Sequence, residues 1–403
     1  MNFKKLALEY HQFPRPGKTS IQPTKPFESQ NDLSLAYTPG VAGPVEAIAK
    51  DQADAYLYTN KGNLVAVITD GSAVLGLGNV GAIAGKPVME GKAVLFKLFA
   101  DIDVFDIEVD APSTEAFIET VANIAPTFGG INLEDIAAPK CFAIEESLKE
   151  RLSIPVFHDD QHGTAVVVCA GLLNALEIQG KRLEDVKIVV QGAGSAGIAT
   201  AKLLCNLGAN RDHIVMVDSK GVIHSGRIDL NVYKQAFAIN TPMRSVSEAM
   251  IDADVLIGLS GPNTITPDMI KRMTRRSIVF ALSNPDPEIY PEQVNAISDS
   301  IIVATGRSDY PNQVNNSLVF PFIFRAALDE KISQIDQQLL TAAVKCLASL
   351  AHQPVPQKVR DIYATETLEF GPGYILPKQF DPRLGEHMIN GLKQSIREKS
   401  NQS

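Results

Sequence analysis

The stretch VKIVVQGAGSAGIATAKLLCNLGANRDHIVMVD, residues 186–218, decides the fold. Its first five residues, VKIVV, are apolar apart from Lys187, a pattern typical of a strand buried on both faces of a parallel sheet. Three glycines follow in a G-x-G-x-x-G array, and small and apolar residues then predict a helix over 198–207, which Gly208 ends. A second apolar strand, 214–217, leads to Asp218. This order predicts a βαβ unit of a parallel sheet.

The spacing inside this unit is that of a dinucleotide-binding turn. Gly192 permits the tight turn, Gly194 lets the backbone approach a pyrophosphate, and Gly197 lets the helix pack closely on the strand. The helix N-terminus offers free N–H groups and the positive end of its dipole to phosphates. Asp218 lies about 20 residues further on, where an acid can accept hydrogen bonds from a ribose. A lone glycine array would fit other parallel sheets equally well. The complete unit predicts a Rossmann-type domain whose cofactor contacts Gly192, Ala193, Gly194, Ser195, Ala196 and Gly197.

Length and composition indicate a two-domain globular protein. A chain of 403 residues exceeds one comfortable core, and its 45% hydrophobic and 21% charged content is ordinary. The net charge of −9 argues against nucleic acid as a partner. The apolar runs are too short for a membrane span, and the N-terminus lacks a signal-peptide core, so we expect no membrane partner. Four widely spaced cysteines favour buried free thiols and a cytoplasmic location.

Strand and helix patterns alternate on both sides of the dinucleotide unit. We therefore predict the α/β class: a doubly wound parallel sheet of the Rossmann type and a second α/β domain that binds the substrate. The predicted boundaries are 1–158 for the substrate domain, 159–315 for the dinucleotide domain, and 316–403 for a helical segment that returns to the substrate domain.

A second glycine array, residues 76–81, also reads G-x-G-x-x-G. Several residues separate it from the preceding strand at 65–68, and the following Ala-Ile-Ala-Gly-Lys-Pro does not predict a clean helix. We interpret it as a loop of the substrate domain, with a phosphate contact as the lesser alternative. The next helix is predicted over 88–99.

Two acidic pairs, Glu134-Asp135 and Asp159-Asp160, are candidates for a metal site. Carboxylates from two loops make the hard oxygen site that Mg²⁺ or Mn²⁺ prefers, although a single pair is more often a helix cap or a solvated surface. His158 and His162 lack a suitable third ligand, which argues against zinc.

Lys92 and Tyr37 are candidates for proton transfer. Lys92 lies in the apolar segment 91–96, where burial can lower the pKa of a lysine and make it a base; the alternative is that it extends to solvent. Tyr37 precedes Thr38-Pro39-Gly40 and is either a general acid or a packed ring. Each residue alone is weak evidence.

Nine stretches, in order from about Asp32 to Leu384, resemble malic enzymes of the compact bacterial type. They are LAYTPGVA, ITDGSAVLGLGNVG, VMEGKAVLFK, INLEDI, VFHDDQHGTA, VVQGAGSAG, FALSNP, NNSLVFP and FGPGYILPKQFDPRL. The resemblance implies a homodimeric enzyme that oxidatively decarboxylates L-malate to pyruvate and CO₂ with NAD(P)⁺ as oxidant and a divalent metal. Two alternatives stay open: a malolactic-type or oxaloacetate-decarboxylating enzyme without net NAD(P)H release, and a catalytically silent nucleotide-binding regulator.

The resemblance also implies roles for single residues. Tyr37 resembles the acid that protonates the enol carbon, Lys92 the base that takes the C2 hydroxyl proton, and Asp159 an acid that supports their hydrogen bonds. The implied metal ligands are Glu134, Asp135 and Asp160, and the residues implied to hold the substrate carboxylate near the nicotinamide are Asn284 and Asn316.

Two positions leave substrate and cofactor recognition open. Larger malic enzymes carry a substrate-binding arginine where this chain has Ala73, so carboxylate binding is expected from the asparagines and from backbone N–H groups of the glycine loop. Asp218 conventionally favours NAD because its charge repels a 2′-phosphate. The Ser219-Lys220 pair that follows resembles NADP-using members, and we favour NADP slightly.

Overall fold

Two mainly parallel sheets organise the protein, whose computed structural model describes residues 3–363 and 367–401. Residues 1, 2, 364–366, 402 and 403 of the predicted domains lie outside the described residues. The first sheet consists of β1 (Leu64–Thr69), β2 (Asp103–Glu108), β3 (Gly130–Leu133) and β4 (Val156–His158). Its order is β2-β1-β3-β4 and its described pairings are parallel.

The second sheet consists of β5 (Ile188–Gln191), β6 (Ile214–Asp218), β7 (Gly221–Val222), β8 (Val255–Gly258), β9 (Ile278–Ala281) and β10 (Ile302–Thr305). Its order is β10-β9-β8-β5-β6-β7; β7 is antiparallel to β6, and the other described pairs are parallel. The winding direction reverses between β5 and β8, which creates the crevice where ligands bind in this fold. The predicted class, a doubly wound sheet with a second α/β domain, is confirmed.

Helices cover both sheets, and β5, β8 and β9 are buried along their whole length, as their continuous apolar runs predict. The α-helices that the structure describes are α1 (Phe3–Gln12), α2 (Gln30–Ala36), α3 (Ala42–Lys50), α4 (Ala55–Tyr58), α5 (Ala82–Ala100), α6 (Thr114–Ile124), α7 (Lys140–Arg151), α8 (Asp159–Gln179), α9 (Ser195–Asn206), α10 (Val232–Gln235), α11 (Val246–Ala249), α12 (Pro267–Ile270), α13 (Pro291–Asn295), α14 (Phe320–Asp329), α15 (Gln337–Ala351), α16 (Gln357–Ile362) and α17 (Arg383–Ser400).

Helix α5 begins directly after Gly81, so the prediction that residues 82–87 are not helical was wrong. Pro87 lies inside the helix. Tertiary packing outweighs the cost of Pro87: Met89, Lys92 and Phe96 of α5 are buried, and a Cβ added at Gly85 would lie in ordinary contact, at 3.5 Å, with the Thr69 side chain at the end of β1.

Helix α8 also begins earlier than the predicted 165–176. Asp159 and Asp160 occupy its first turn, directly after β4. Carboxylates are stabilised at this position by the positive end of the helix dipole. The acidic pair is therefore held by a 21-residue helix rather than by a loop.

Helix α14 packs against the first sheet and its helix α5. The ring centroid of Phe96 on α5 lies 4.8 Å from that of Phe320 and 5.3 Å from that of Phe324, and Phe324 also lies 5.8 Å from Phe157 of β4. The Arg325 guanidinium donates a 2.6 Å hydrogen bond to the Asn63 side chain. These contacts attach the start of the C-terminal segment to the N-terminal part of the chain.

The N-terminal helices contribute little to the core. None of the residues of α1, α2 and α3 is buried. Within the described ranges we find no helix with the length and apolar character needed to cross a bilayer. The four cysteines are free, as predicted; Cys141 and Cys169 are buried, whereas Cys205 and Cys346 are only partly so.

Candidate active site

Lys92 lies at the centre of a buried polar cluster that joins four distant segments. Its Nζ forms an ion pair with Asp159 and lies 3.1 Å from Oε1 of Glu134. It also donates a 3.3 Å hydrogen bond to Oδ1 of Asn316, and it stands 4.4 Å from the ring centroid of Phe320. The predicted base, two predicted acids and a predicted substrate ligand therefore lie together.

Sheet geometry explains why the two acidic pairs meet. Strands β3 and β4 are parallel neighbours, with Leu133 opposite His158. Glu134 follows the first residue of this pair and Asp159 follows the second. Because parallel strands end at the same edge of a sheet, both pairs emerge side by side, and α5 brings Lys92 to the same edge.

The pKa of Lys92 differs from the expectation for a lysine in an apolar segment. Burial by itself would lower the pKa of Lys92, but the carboxylates of Asp159 and Glu134 outweigh it, so its pKa is raised above the usual value. The predicted lowering was wrong because the local sequence of α5 does not show the acids that packing brings there. Burial raises the pKa of Glu134 and of Asp159, while Lys92 opposes both shifts.

Glu134, Asp135 and Asp160 form a set of oxygens that suits a divalent cation. One carboxylate oxygen from each lies within 4.8 Å of the others. Asp135 has a positive φ of 53°, and its backbone N–H donates to Oδ2 of Asp160 at 2.8 Å. The Asn132 side chain donates to Oε2 of Glu134 at 3.0 Å, which fixes that carboxylate. Three hard, negatively charged donors fit Mg²⁺ or Mn²⁺.

Gly163 makes room for Asp159 and was not singled out from the sequence. A Cβ added at Gly163, one turn along α8, would lie 1.9 Å from Oδ1 of Asp159 and 3.1 Å from Cβ of Asn316. The glycine therefore lets Asp159 and Asn316 approach one another beside Lys92. Within the described chain His162, which directly precedes Gly163, forms no hydrogen bond with Lys92. Its Nε2 lies 2.8 Å from Oε1 of Glu145.

The loop that carries Ala73 is bound to the metal-ligand loop. The N–H of Ala73 donates to the backbone oxygen of Asp135 at 2.9 Å, and the N–H of Ala137 donates to Oγ of Ser72 at 2.8 Å. Lys140, which the sequence analysis did not consider, forms an ion pair with Asp70 of this loop. A cation thus lies next to the loop that carries Ala73.

The dinucleotide turn lies at the crevice between β5 and β8. Gly192 has φ 121°, and a Cβ there would lie 2.2 Å from the backbone oxygen of Leu259. A Cβ at Gly197 would lie 1.8 Å from the oxygen of Gly192. Among the described residues, no atom lies within 4 Å of a Cβ added at Gly194, and α9 begins with the next residue. Two glycines are required by packing, and the third faces open space that fits a phosphate.

Asp218 is surrounded by cations that the sequence analysis missed. Arg227 donates two hydrogen bonds to its carboxylate, at 2.8 and 3.0 Å, and Lys234 donates a third at 2.7 Å. Although burial would raise it, these bonds lower the pKa of Asp218 to about 2. Lys220 donates its backbone N–H at 3.0 Å and pairs through Nζ with Asp229 at 2.8 Å. Its neighbour Ser219 is exposed. The charge of Asp218 is therefore already compensated.

Among the described residues, neither Asn284 nor Tyr37 is hydrogen-bonded to Lys92. Asn284 follows β9, and a Cβ added at Gly76 would lie 2.6 Å from its backbone oxygen, so the second glycine array contacts this loop. Tyr37 is 67% exposed at the end of α2, and its hydroxyl has no hydrogen bond within residues 3–363 and 367–401. In the described part of the chain, Lys92 forms no hydrogen bond with Tyr37.

Two family models match the chain. The model described as malic enzyme, N-terminal domain, matches residues 16–149, and the model described as malic enzyme, NAD binding domain, matches residues 161–364.

Individual proteins resemble the chain over most of its length. The chain is 57% identical to the NADP-dependent malic enzyme of Halomonas elongata, covering 97% of this chain and 93% of that protein. It is 54% identical to the NADP-dependent malic enzyme of Escherichia coli over 94% of this chain, but it spans about half, 50%, of that relative. The crystal structure of malic enzyme from Pyrococcus horikoshii superimposes with a TM-score of 0.89 at 43% identity, covering 98% of this chain and 91% of that chain.

Replacing Asp160 by Asn should weaken Mn²⁺ binding about tenfold or more, because one charged oxygen of the set is lost. Isothermal titration of the purified protein with MnCl₂ measures the change. Asp110→Asn, which alters an exposed acid outside the cluster, is the control. Equal affinity in Asp160→Asn and the control would show that Asp160 is not a ligand.

Proposed function

The chain belongs to the malic enzyme family, and on that basis we propose that it oxidatively decarboxylates L-malate to pyruvate and CO₂ with reduction of NADP⁺. One observation carries this proposal: Lys92 is held between Asp159 and Glu134, and an oxygen of Glu134 lies within 4.8 Å of oxygens of Asp135 and Asp160. A proton-transfer group next to a hard cation site, near a dinucleotide crevice, suits the oxidation of a 2-hydroxy acid followed by loss of CO₂.

We propose that Glu134, Asp135 and Asp160 hold Mg²⁺ or Mn²⁺. The bound metal ion supplies electrophilic stabilisation of charge on the substrate oxygens, and the nicotinamide supplies the hydride acceptor. What supports this assignment is the close approach of the three carboxylates, whose combined negative charge exceeds the single positive charge of Lys92.

Lys92 takes the proton of the C2 hydroxyl in the proposed reaction and must be neutral to do so. Glu134 and Asp159 raise its pKa. In the assembled site the charge of Glu134 would be balanced by a bound divalent cation, so that Glu134 would no longer raise the pKa of Lys92. Asp159 lies in contact with Nζ of Lys92, and burial raises its own pKa, so it can receive the proton. Gly163 keeps Asp159 at this position.

Asn316 and Asn284 are proposed to bind the substrate carboxylate. The contact of Asn316 with Lys92 supports the first assignment, and the position of Asn284 at the carboxyl end of β9 supports the second. Lys140, which pairs with Asp70 in the loop before Ala73, is a further source of positive charge for the substrate carboxylates.

NADP⁺ is the proposed preferred cofactor. Arg227 and Lys234 neutralise the acid that would repel a 2′-phosphate, and Lys220 with Ser219 adds donors at the same strand end. This arrangement supports a phosphate-binding pocket next to the adenosine ribose.

The enzyme is proposed to act as a homodimer in which Tyr37 of one chain enters the site of the second copy. Tyr37 is the proposed acid that protonates C3 after loss of CO₂. Its side chain is exposed, however, and is not hydrogen-bonded to Lys92 in the described part of the chain. The surrounding helices α2 and α3 bury no residue and expose Leu33, Leu35 and Val45, and Val41, just before α3, is also exposed. An apolar surface that bears a catalytic side chain suits an interface that completes the site.

The proposed domains are the substrate domain at 1–158, the dinucleotide domain at 159–315, and the segment 316–403 returning to the substrate domain. The packing of α14 on α5 supports the return of the last segment. The free cysteines support a reducing compartment, and we propose the cytoplasm.

Initial rates of nucleotide reduction with L-malate and Mn²⁺ test the reaction, with a chelator control. We expect chelator-sensitive formation of NADPH and pyruvate. Lys92→Ala should lower kcat about 100-fold or more, because the base is lost, whereas exposed Lys271→Ala should not. Near-normal turnover by Lys92→Ala would contradict the mechanism. Product without net NADPH would favour the malolactic-type reaction, and no turnover at all would favour a silent regulator.

Lys234→Ala tests the cofactor preference. Loss of a charged donor to a phosphate should raise the KM for NADP⁺ about tenfold, while the KM for NAD⁺ changes little. Steady-state rates with each nucleotide at saturating malate give both values. Equal increases for the two nucleotides would assign Lys234 to holding Asp218 alone.

Subunit mixing tests the position of Tyr37. Tyr37→Phe and Lys92→Ala should each be poorly active. If Tyr37 acts in the second copy, mixed dimers contain one site with both groups intact, and a mixture after subunit exchange should recover about a quarter of wild-type activity. If Tyr37 acted within its own chain, every site would keep one defect and mixing would restore nothing. Each variant incubated alone is the control.

A further inference from the structure

Glu288 is a fully buried carboxylate that the proposed mechanism does not use, with 0% exposure. Its Oε1 accepts a hydrogen bond from the N–H of Ser260 at 2.9 Å, and its Oε2 accepts one from the N–H of Ser283 at 3.1 Å. Burial raises the pKa of Glu288 above its usual value, whereas these backbone hydrogen bonds oppose the rise. A buried acid with both oxygens on backbone donors is well placed to hold two segments together.

The two segments are the loops that follow β8 and β9. These strands are parallel neighbours, with Gly258 opposite Ala281, so their loops leave the same edge of the sheet. Ser260 follows Leu259, whose backbone oxygen lies against Gly192 of the dinucleotide turn. Ser283 precedes Asn284, the proposed nicotinamide and substrate ligand. Glu288 thus connects the wall beside the pyrophosphate turn with the loop that carries Asn284.

The surrounding chain is shaped to admit this carboxylate. A Cβ added at Gly258 would lie 2.6 Å from Cδ of Glu288, so the last residue of β8 must be small. The backbone of Glu288 is itself anchored, since its oxygen accepts from the N–H of Ile265 at 3.1 Å and the oxygen of Pro287 accepts from Asn263 at 3.0 Å. The side chain therefore reaches back under both loops from a fixed position.

We propose that Glu288 is a positioning residue for the dinucleotide: its two hydrogen bonds set the spacing between the Ser260 loop and the Ser283-Asn284 loop, into which the cofactor fits. The inference rests on the proposed function for the identity of the nucleotide. It assigns to Glu288 a contribution to cofactor binding and hydride transfer, and none to the metal-dependent chemistry at Lys92.

The full-length protein with Glu288→Gln tests this role. The amide of Gln offers one acceptor oxygen and presents N–H groups to the other backbone donor, so one bond is lost. We expect the Kd for NADP⁺, measured by isothermal titration without malate, to rise about tenfold. The kcat for Mn²⁺-dependent decarboxylation at saturating oxaloacetate, which needs no hydride transfer and no tight carboxylate binding by Asn284, should stay within about twofold of wild type. Glu292→Gln, an exposed glutamate on α13, is the matched control.

Glu288→Asp is the second variant, and it decides the outcome if Glu288→Gln does not fold. The shorter acid keeps its charge but cannot span both N–H groups, so NADP⁺ binding should weaken while the thermal unfolding midpoint of the metal-bound protein stays near that of the control. Unchanged NADP⁺ affinity in a folded Gln or Asp variant would overturn the proposal, as would equal losses of NADP⁺ binding and oxaloacetate decarboxylation. If the wild-type protein binds NADP⁺ but does not oxidise malate, the proposed reaction is wrong. The NADP⁺ affinities of wild type and the Glu288 variants then still test the role of Glu288.

Discussion

The ion pair of Lys92 with Asp159 and Glu134 is the interaction on which the candidate site depends. An ammonium group buried without partners would lose its proton or be expelled toward solvent. Here two carboxylates hold it in the charged form, and Asn316 and the ring of Phe320 complete its surroundings. The same carboxylates carry an excess of negative charge into the interior, which a divalent cation can balance. Lysine and metal ligands therefore form one electrostatic unit.

The parallel sheets make this unit possible. Residues that follow neighbouring parallel strands emerge at one edge, and this rule operates twice in the molecule. In the first sheet it juxtaposes Glu134 with Asp159; in the second it juxtaposes the turn at Gly192 with the loops after β8 and β9. Helix α14 then packs on α5 and brings Asn316, directly ahead of it, to Lys92. The candidate catalytic cluster and the candidate cofactor crevice therefore lie at the edges of two different sheets, and helices join these sheets.

Glycines mark the places where polar groups must approach closely. Gly163 admits Asp159, Gly197 admits the oxygen of Gly192, and Gly258 admits the carboxylate of Glu288. In each case an added methyl group would lie within 2.6 Å of the polar group, too close for any relaxed structure. Asp218 shows the complementary principle, because Arg227 and Lys234 compensate its charge where a single acid would otherwise repel a phosphate.

The sequence by itself determined the α/β class, the dinucleotide turn and the acidic pairs, because hydrophobic periodicity and glycine spacing are local properties. It placed β5 and β6 within two residues of their observed bounds. It did not determine the helical state of residues 82–87, where Gly85 packs on β1, or the raised pKa of Lys92. It also gave no sign of Arg227 and Lys234 around Asp218, or of Glu288 beneath two loops. Those features depend on which residues meet after folding. Charge compensation and close packing act between segments far apart in the chain, and only the tertiary structure decides them.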